Sequence, residues 1–121
     1  MTDDGDTKTV HVPKLVAQKL RAELKIRNLP VRGGMTVAIE KAIRNRLEIL
    51  KTTKPLTDEV LEVPSEFNPK GGYNVYVLDE ELSVEFKSFV LDLYGSERMA
   101  ALSYEITEAV KQYINKLEVN Y

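Results

Sequence analysis

A short alternating stretch that gives way to two amphipathic helical stretches occurs twice in this chain, and no other sequence feature limits its fold as much. Thr7-Lys8-Thr9-Val10-His11-Val12-Pro13 alternates polar with apolar residues and stops at a proline, which predicts a strand. From Lys14 to Asn28, Val16, Leu20 and Leu24 fall at i, i+4 and i+8 and make one helical stripe. Asn28-Leu29-Pro30 ends that helix, and Gly33-Gly34 marks the next turn. A second helix is expected from about Met35 to Lys51, with Met35, Ala38, Ile39, Ala42, Ile43, Leu47 and Leu50 on its apolar face.

The same order returns later. Tyr73 to Leu78 is rich in strand formers, and Asp79 can cap a helix by accepting from its first free amides. Leu82, Phe86, Phe89, Val90 and Leu93 form the stripe of that helix; Gly95 suits its C-terminal cap, and Ser96 the next start. Met99, Leu102, Ile106, Ala109, Val110, Tyr113, Ile114 and Leu117 pattern a last helix. Val16, Leu20 and Leu24 align with Leu82, Phe86 and Val90 at an offset of 66. Ile39, Ala42, Ile43 and Leu50 align with Ile106, Ala109, Val110 and Leu117 at 67, so one residue is added in the second interhelix loop. The alternative is two unrelated amphipathic hairpins, since helical patterns are generic. The expected division is a first unit at 7–51, a linker at 52–72 and a second unit at 73–118. Pro55, Pro64, Pro69 and Gly71-Gly72 oppose regular structure in the linker. Leu56, Val60, Leu61, Val63 and Phe67 are too apolar for a free tether, so part of it should pack on the body, with one helical turn near Asp58 to Leu61.

The net charge of −2 conceals a split. Residues 1–54 carry 12 Lys+Arg against 6 Asp+Glu, a balance of +6; residues 55–121 carry 5 against 13, a balance of −8. Only the first half is then suited to a polyanion. The absence of cysteine excludes disulfides and thiolate zinc sites, and a single histidine, His11, excludes the usual multi-histidine metal sites. No cofactor is expected. No apolar run approaches membrane-spanning length, and the acidic start Met1-Thr2-Asp3-Asp4-Gly5-Asp6 does not read as a signal peptide, so the expectation is an intracellular protein without a membrane.

Val10-His11-Val12-Pro13-Lys14-Leu15-Val16 resembles the strand of the ribbon-helix-helix superfamily, the Arc and MetJ repressor type, which ends in proline before the first helix. Leu78-Asp79-Glu80-Glu81-Leu82 is similar to the variant with Asp in place of Pro, and Thr36-Val37-Ala38-Ile39-Glu40-Lys41-Ala42-Ile43 to the family's second-helix motif. The resemblance covers about 90 residues in two stretches. It implies a mostly α fold with a short antiparallel β-ribbon, strand-helix-helix twice in tandem. It also implies a regulator, repressor-like, that inserts the ribbon into the major groove of double-stranded DNA; the cysteine-free tandem form suits an archaeal or viral regulator, in the latter case working in host cytoplasm.

A lone unit of this kind exposes an unpaired strand and an unburied helical face, so the units must pair. Pairing within one chain, as a pseudo-dimer, is the first expectation. Pairing between chains, or higher assembly on DNA, is the rival. With Val10 and Val12 inward, Thr7, Thr9 and His11 point outward as candidate base contacts. Aligned to them, Tyr73, Val75 and Val77 point outward from the second strand; the opposite parity would expose Asn74 and Tyr76, and the sequence leaves both open. Arg32, Gly33, Gly34, Met35 and Thr36 are the candidate phosphate clamp at the second helix's start, where a cation, two glycines, free amides and the helix dipole meet. Ser96-Glu97-Arg98 is a degraded counterpart, because Glu97 repels phosphate. The remaining cations, Arg46 among them, read mainly as solvated surface. Nothing resembles a catalytic triad or a phosphate-cradling glycine motif, so no enzyme is expected. The other function class is a protein-interaction module, such as an antitoxin or assembly subunit, that uses the acidic half.

Overall fold

The fold was obtained as a computed structural model, which describes residues 7–53, 60–94 and 98–119. The elements run β1 (Thr9–Pro13), α1 (Lys14–Ile26), α2 (Gly34–Thr53), β2 (Tyr73–Val77), α3 (Glu80–Tyr94) and α4 (Arg98–Val119). The architecture is mostly helical, with one two-stranded antiparallel sheet. Among the described residues, no helix is long and apolar enough to cross a membrane.

β1 pairs with β2 of the same chain in the register Thr9↔Val77, His11↔Val75 and Pro13↔Tyr73. Val10 and Val12 alternate with exposed His11 and are wholly buried, while β2 exposes Tyr73, Val75 and Val77. Of the two parities open for β2, the one aligned with β1 is therefore the one adopted. Leu78 supplies the reason. It is buried at the end of β2 and donates its amide to Lys8 O at 2.7 Å, which fixes the strand's phase against β1.

Helix ends follow local chemistry. Pro13 has φ −52 immediately before α1, where its missing N–H costs nothing. The Lys14 amide, which has no acceptor within its helix, donates to Gly72 O at 3.0 Å and so ties α1 to the start of β2. α1 ends two residues earlier than the sequence suggests. Asn28 takes the left-handed conformation at φ 58, the Leu29 amide returns to Leu24 O and the Asn28 amide to Lys25 O. That pair of bonds closes the last turn as glycine would, and Asn tolerates the conformation. At α3, Asp79 acts as expected: its Oδ2 accepts from the Leu82 amide at 3.1 Å.

One apolar cluster joins all the elements. Phe86, Leu20, Ile39 and Ile43 are its largest fully buried side chains. All seven residues expected on the apolar face of α2 are buried. α4 departs from its pattern: Met99 is exposed, whereas Ser103, Glu105 and Thr107 are buried. This helix touches α1, α2, α3 and β1, so more than one of its faces is enclosed and simple amphipathicity no longer describes it. In the linker, Leu61 and Val63 pack on the core, the Leu61 amide donates to Leu93 O at 2.8 Å, and the Phe67 ring meets Tyr104 edge-on. Of the expected helical turn, Asp58 and Glu59 lie outside the described residues, and Val60 and Leu61 are irregular. Gly95, Ser96 and Glu97 also lie outside them, as does the Arg98 side chain, so neither the caps nor the degraded clamp placed there is described.

Candidate nucleic-acid interface

Pleating places Thr9 and His11 of β1 and Val75 and Val77 of β2 on one outer face, two facing pairs in register. His11 is exposed, Val75 is 55% and Val77 62% exposed. Thr9 is half-buried beside Val77. The face is thus chemically divided: a hydroxyl and an imidazole on one strand, two isopropyl groups on the other. Tyr73 closes one end. Its ring meets His11 edge-on at 6.3 Å, and its hydroxyl lies 3.4 Å from Ser103 Oγ, which donates to it. Tyr73 therefore leans toward α4 rather than standing free on the outer face.

Thr7 falls outside the ribbon. It lies in a short 3-10 turn before β1, and its hydroxyl donates to Glu80 Oε2 at 2.9 Å. The expected strand began two residues too early because β2 turns into α3 after Val77 and leaves no partner strand for Thr7. A threonine held by a carboxylate is poorly placed to approach a polyanion. Lys8 and Lys14, the residues next to either end of β1, are exposed.

At the candidate clamp, Arg32 and Gly33 are exposed. Gly33 has φ +76 with open space where a Cβ would stand, while a Cβ on Gly34 would meet Pro30 Cβ at 3.3 Å. Met35 has a buried side chain, and its amide donates to Val31 O at 3.1 Å. The Val37 amide is likewise committed to Gly33 O, whereas those of Gly34 and Thr36 have no such loop partner among the described residues. No hydrogen bond or ring contact joins this segment to the ribbon among the described residues.

Sequence reading missed a buried ionic network. Arg46 of α2 donates from Nε to Glu105 Oε1 at 2.5 Å and from Nη2 to Oε2 at 3.3 Å, and the Tyr94 hydroxyl donates to the same carboxylate. Glu105 is wholly buried, so Arg46 is not the solvated cation its helix position suggested. Burial alone would lower the Arg46 pKa, but the hydrogen bond and charge of Glu105 outweigh it and hold the guanidinium above its ordinary value. Burial, then the Glu105 carboxylate, push the Tyr94 phenol well up. The signal was there: Ala101, Glu105 and Ala109 follow at i, i+4 and i+8, which puts the glutamate in an otherwise small, apolar row. Lys51 and Glu85 add a second bridge between the basic and acidic halves at 2.6 Å, both side chains exposed.

No protein-family model matches the chain, and neither a curated protein nor a solved structure similar to it was found.

Proposed function

We propose that the chain is a double-stranded-DNA-binding regulator of the ribbon-helix-helix kind, its two strand-helix-helix units paired within one chain. The observation that carries this reading is the isolated two-stranded ribbon, whose outer face presents Thr9 and His11 between exposed Lys8 and Lys14. A two-stranded ribbon fits the major groove, and threonine and imidazole can bond to base edges there. Arg32, the open backbone at Gly33, the neighbouring Gly34 and the α2 dipole suit a flanking phosphate, with the Thr36 hydroxyl in support. Val77 and Val75 are suited to thymine methyl groups. Fluorescence anisotropy on a mixed-sequence duplex at two salt concentrations tests the reading. Binding should weaken steeply with salt, since lysine and arginine contacts release counterions. Salt-independent binding, or none at low salt, rejects it.

One observation favours a second reading. Exposed Val75 and Val77 lie side by side on a sheet face, which is also what a protein partner would cover. Under that reading Val75→Lys abolishes partner capture and leaves DNA affinity unchanged or higher.

A further inference from the structure

Beside the clamp, the end of α1, the loop after it, α2 and the C-terminal half of α4 enclose two adjoining clefts. The first has a volume of about 360 Å³, with an apolar lining that includes Leu24, Leu29, Pro30, Val37 and Tyr113. The second, about 320 Å³, meets it at Lys41 and Tyr113. Arg32 lines the first, Arg44 and Lys116 the second, and Lys41 both, while no aspartate or glutamate lines either. None of these four cations makes a salt bridge or side-chain hydrogen bond among the described residues. Arg27, Arg46, Lys51 and Lys111 all do. In a chain with more acidic than basic residues, two cations lining the apolar hollow and two more in the adjoining cleft, with no carboxylate lining either, form a local excess that an anion would relieve.

We propose that this cleft binds a small apolar anion, a carboxylate on an aromatic or aliphatic body, with the body against Leu24, Val37 and the Tyr113 ring and the charge at Lys41 and Arg32. The volume falls in the range of small-molecule sites, roughly 300 to 1,000 Å³, and the mix of apolar lining with a few charged groups is what such sites use. A free phosphate would have no use for the apolar lining. Burial raises the Tyr113 phenol, so it stays neutral and can donate to the carboxylate. The walls are held in place before any ligand arrives. The Leu29 amide is tied to Leu24 O and the Met35 amide to Val31 O, and Gly34 sits against Pro30. Arg32, Gly33 and Gly34 belong both to this cleft and to the clamp. Resting on the DNA reading, the cleft's occupant and a DNA phosphate therefore compete, and each weakens the other by the same factor.

The test uses the full chain without DNA, titrated with 2-naphthoate and with the uncharged 2-naphthalenemethanol, and followed by backbone amide shifts in NMR. Naphthoate should produce saturable shifts centred on Val37, Lys41 and Tyr113. The Lys41→Gln variant should bind about fivefold more weakly, the effect of losing one partly solvated charge contact, and the alcohol, which loses the contacts to both Lys41 and Arg32, more weakly still. Val37→Glu, at a half-exposed position, should abolish binding while the remaining spectrum keeps its dispersion. Shifts absent to millimolar naphthoate, spread over the ribbon, or unchanged by Lys41→Gln overturn the cleft. A DNA arm then separates the claims. Naphthoate that binds the cleft without lowering DNA affinity overturns the competition alone. A chain that takes naphthoate but binds no DNA overturns the DNA reading and the competition together and leaves the cleft standing.

Discussion

Glu105 is wholly buried and accepts from both Arg46 and Tyr94, so removing its carboxylate strands a guanidinium and a phenol without their acceptor. Glu105→Ala should cost about 3 kcal/mol in urea unfolding, as expected for breaking a buried ion pair from one side. The double variant Arg46→Met with Glu105→Leu should recover most of that loss, because two apolar chains carry no desolvation penalty; a double variant as unstable as the single one would mean that packing, not charge, sets the cost. Burial of phenols imposes a pH dependence as well. Tyr94, Tyr104 and Tyr113 are all raised above their ordinary value of 10.0, so the folded chain holds these protons where the unfolded chain releases them. Their contribution is intact below about pH 10 and is lost as pH rises further. Thermal unfolding from pH 8 to 11 should show stability falling above 10, and less steeply in Tyr94→Phe; an equal slope in that variant would separate Tyr94 from the effect. Little of this was legible in sequence. A glutamate in a helix reads as surface by default, and only its place between Ala101 and Ala109 argued otherwise.

Among the elements, the ribbon and the start of α2 make separable claims. Replacing Thr9 and His11 together with alanine should erode discrimination between sequences more than affinity for mixed DNA, because base contacts specify while phosphate contacts position. Competition binding against selected and random duplexes measures both, and an unaltered preference would remove the ribbon from recognition. Arg32→Ala should weaken binding to all sequences alike and make the log–log salt slope shallower by about 0.9. A loss confined to one sequence would give Arg32 a different role. These elements were well marked in sequence where a single face is buried: the α2 stripe and the alternation of β1 carried over directly. Their ends were not. α1 stops at Ile26 because Asn28 accepts a positive φ, and β1 begins at Thr9 because its partner strand runs out at Val77. The first of these depends on one residue's tolerance, the second on a residue nearly seventy positions away.

At the scale of the whole molecule, β1 pairs with β2 and Arg46 with Glu105, so each half completes the other's sheet and core. The residues that join them, 52–72, keep the two halves at an effective concentration near the millimolar range, which favours pairing inside the chain over pairing between chains. Sedimentation at micromolar concentration, without DNA, should therefore find a folded species of 13.7 kDa that persists on dilution. An obligate dimer would require the strands to pair between chains. Sequence reading could pose this choice but not decide it, because apolar stripes say which faces must be covered and not by which copy. If the chain binds DNA as proposed, pairing unlike strands has a consequence for its site. Two identical strands in antiparallel register would carry twofold symmetry onto the DNA and ask for a palindrome. Here Thr9 and His11 face Val77 and Val75, so under the proposed DNA-binding reading the ribbon's outer face has a left and a right. A site bound by such a face need be no palindrome, and the protein would then sit on it in one orientation only.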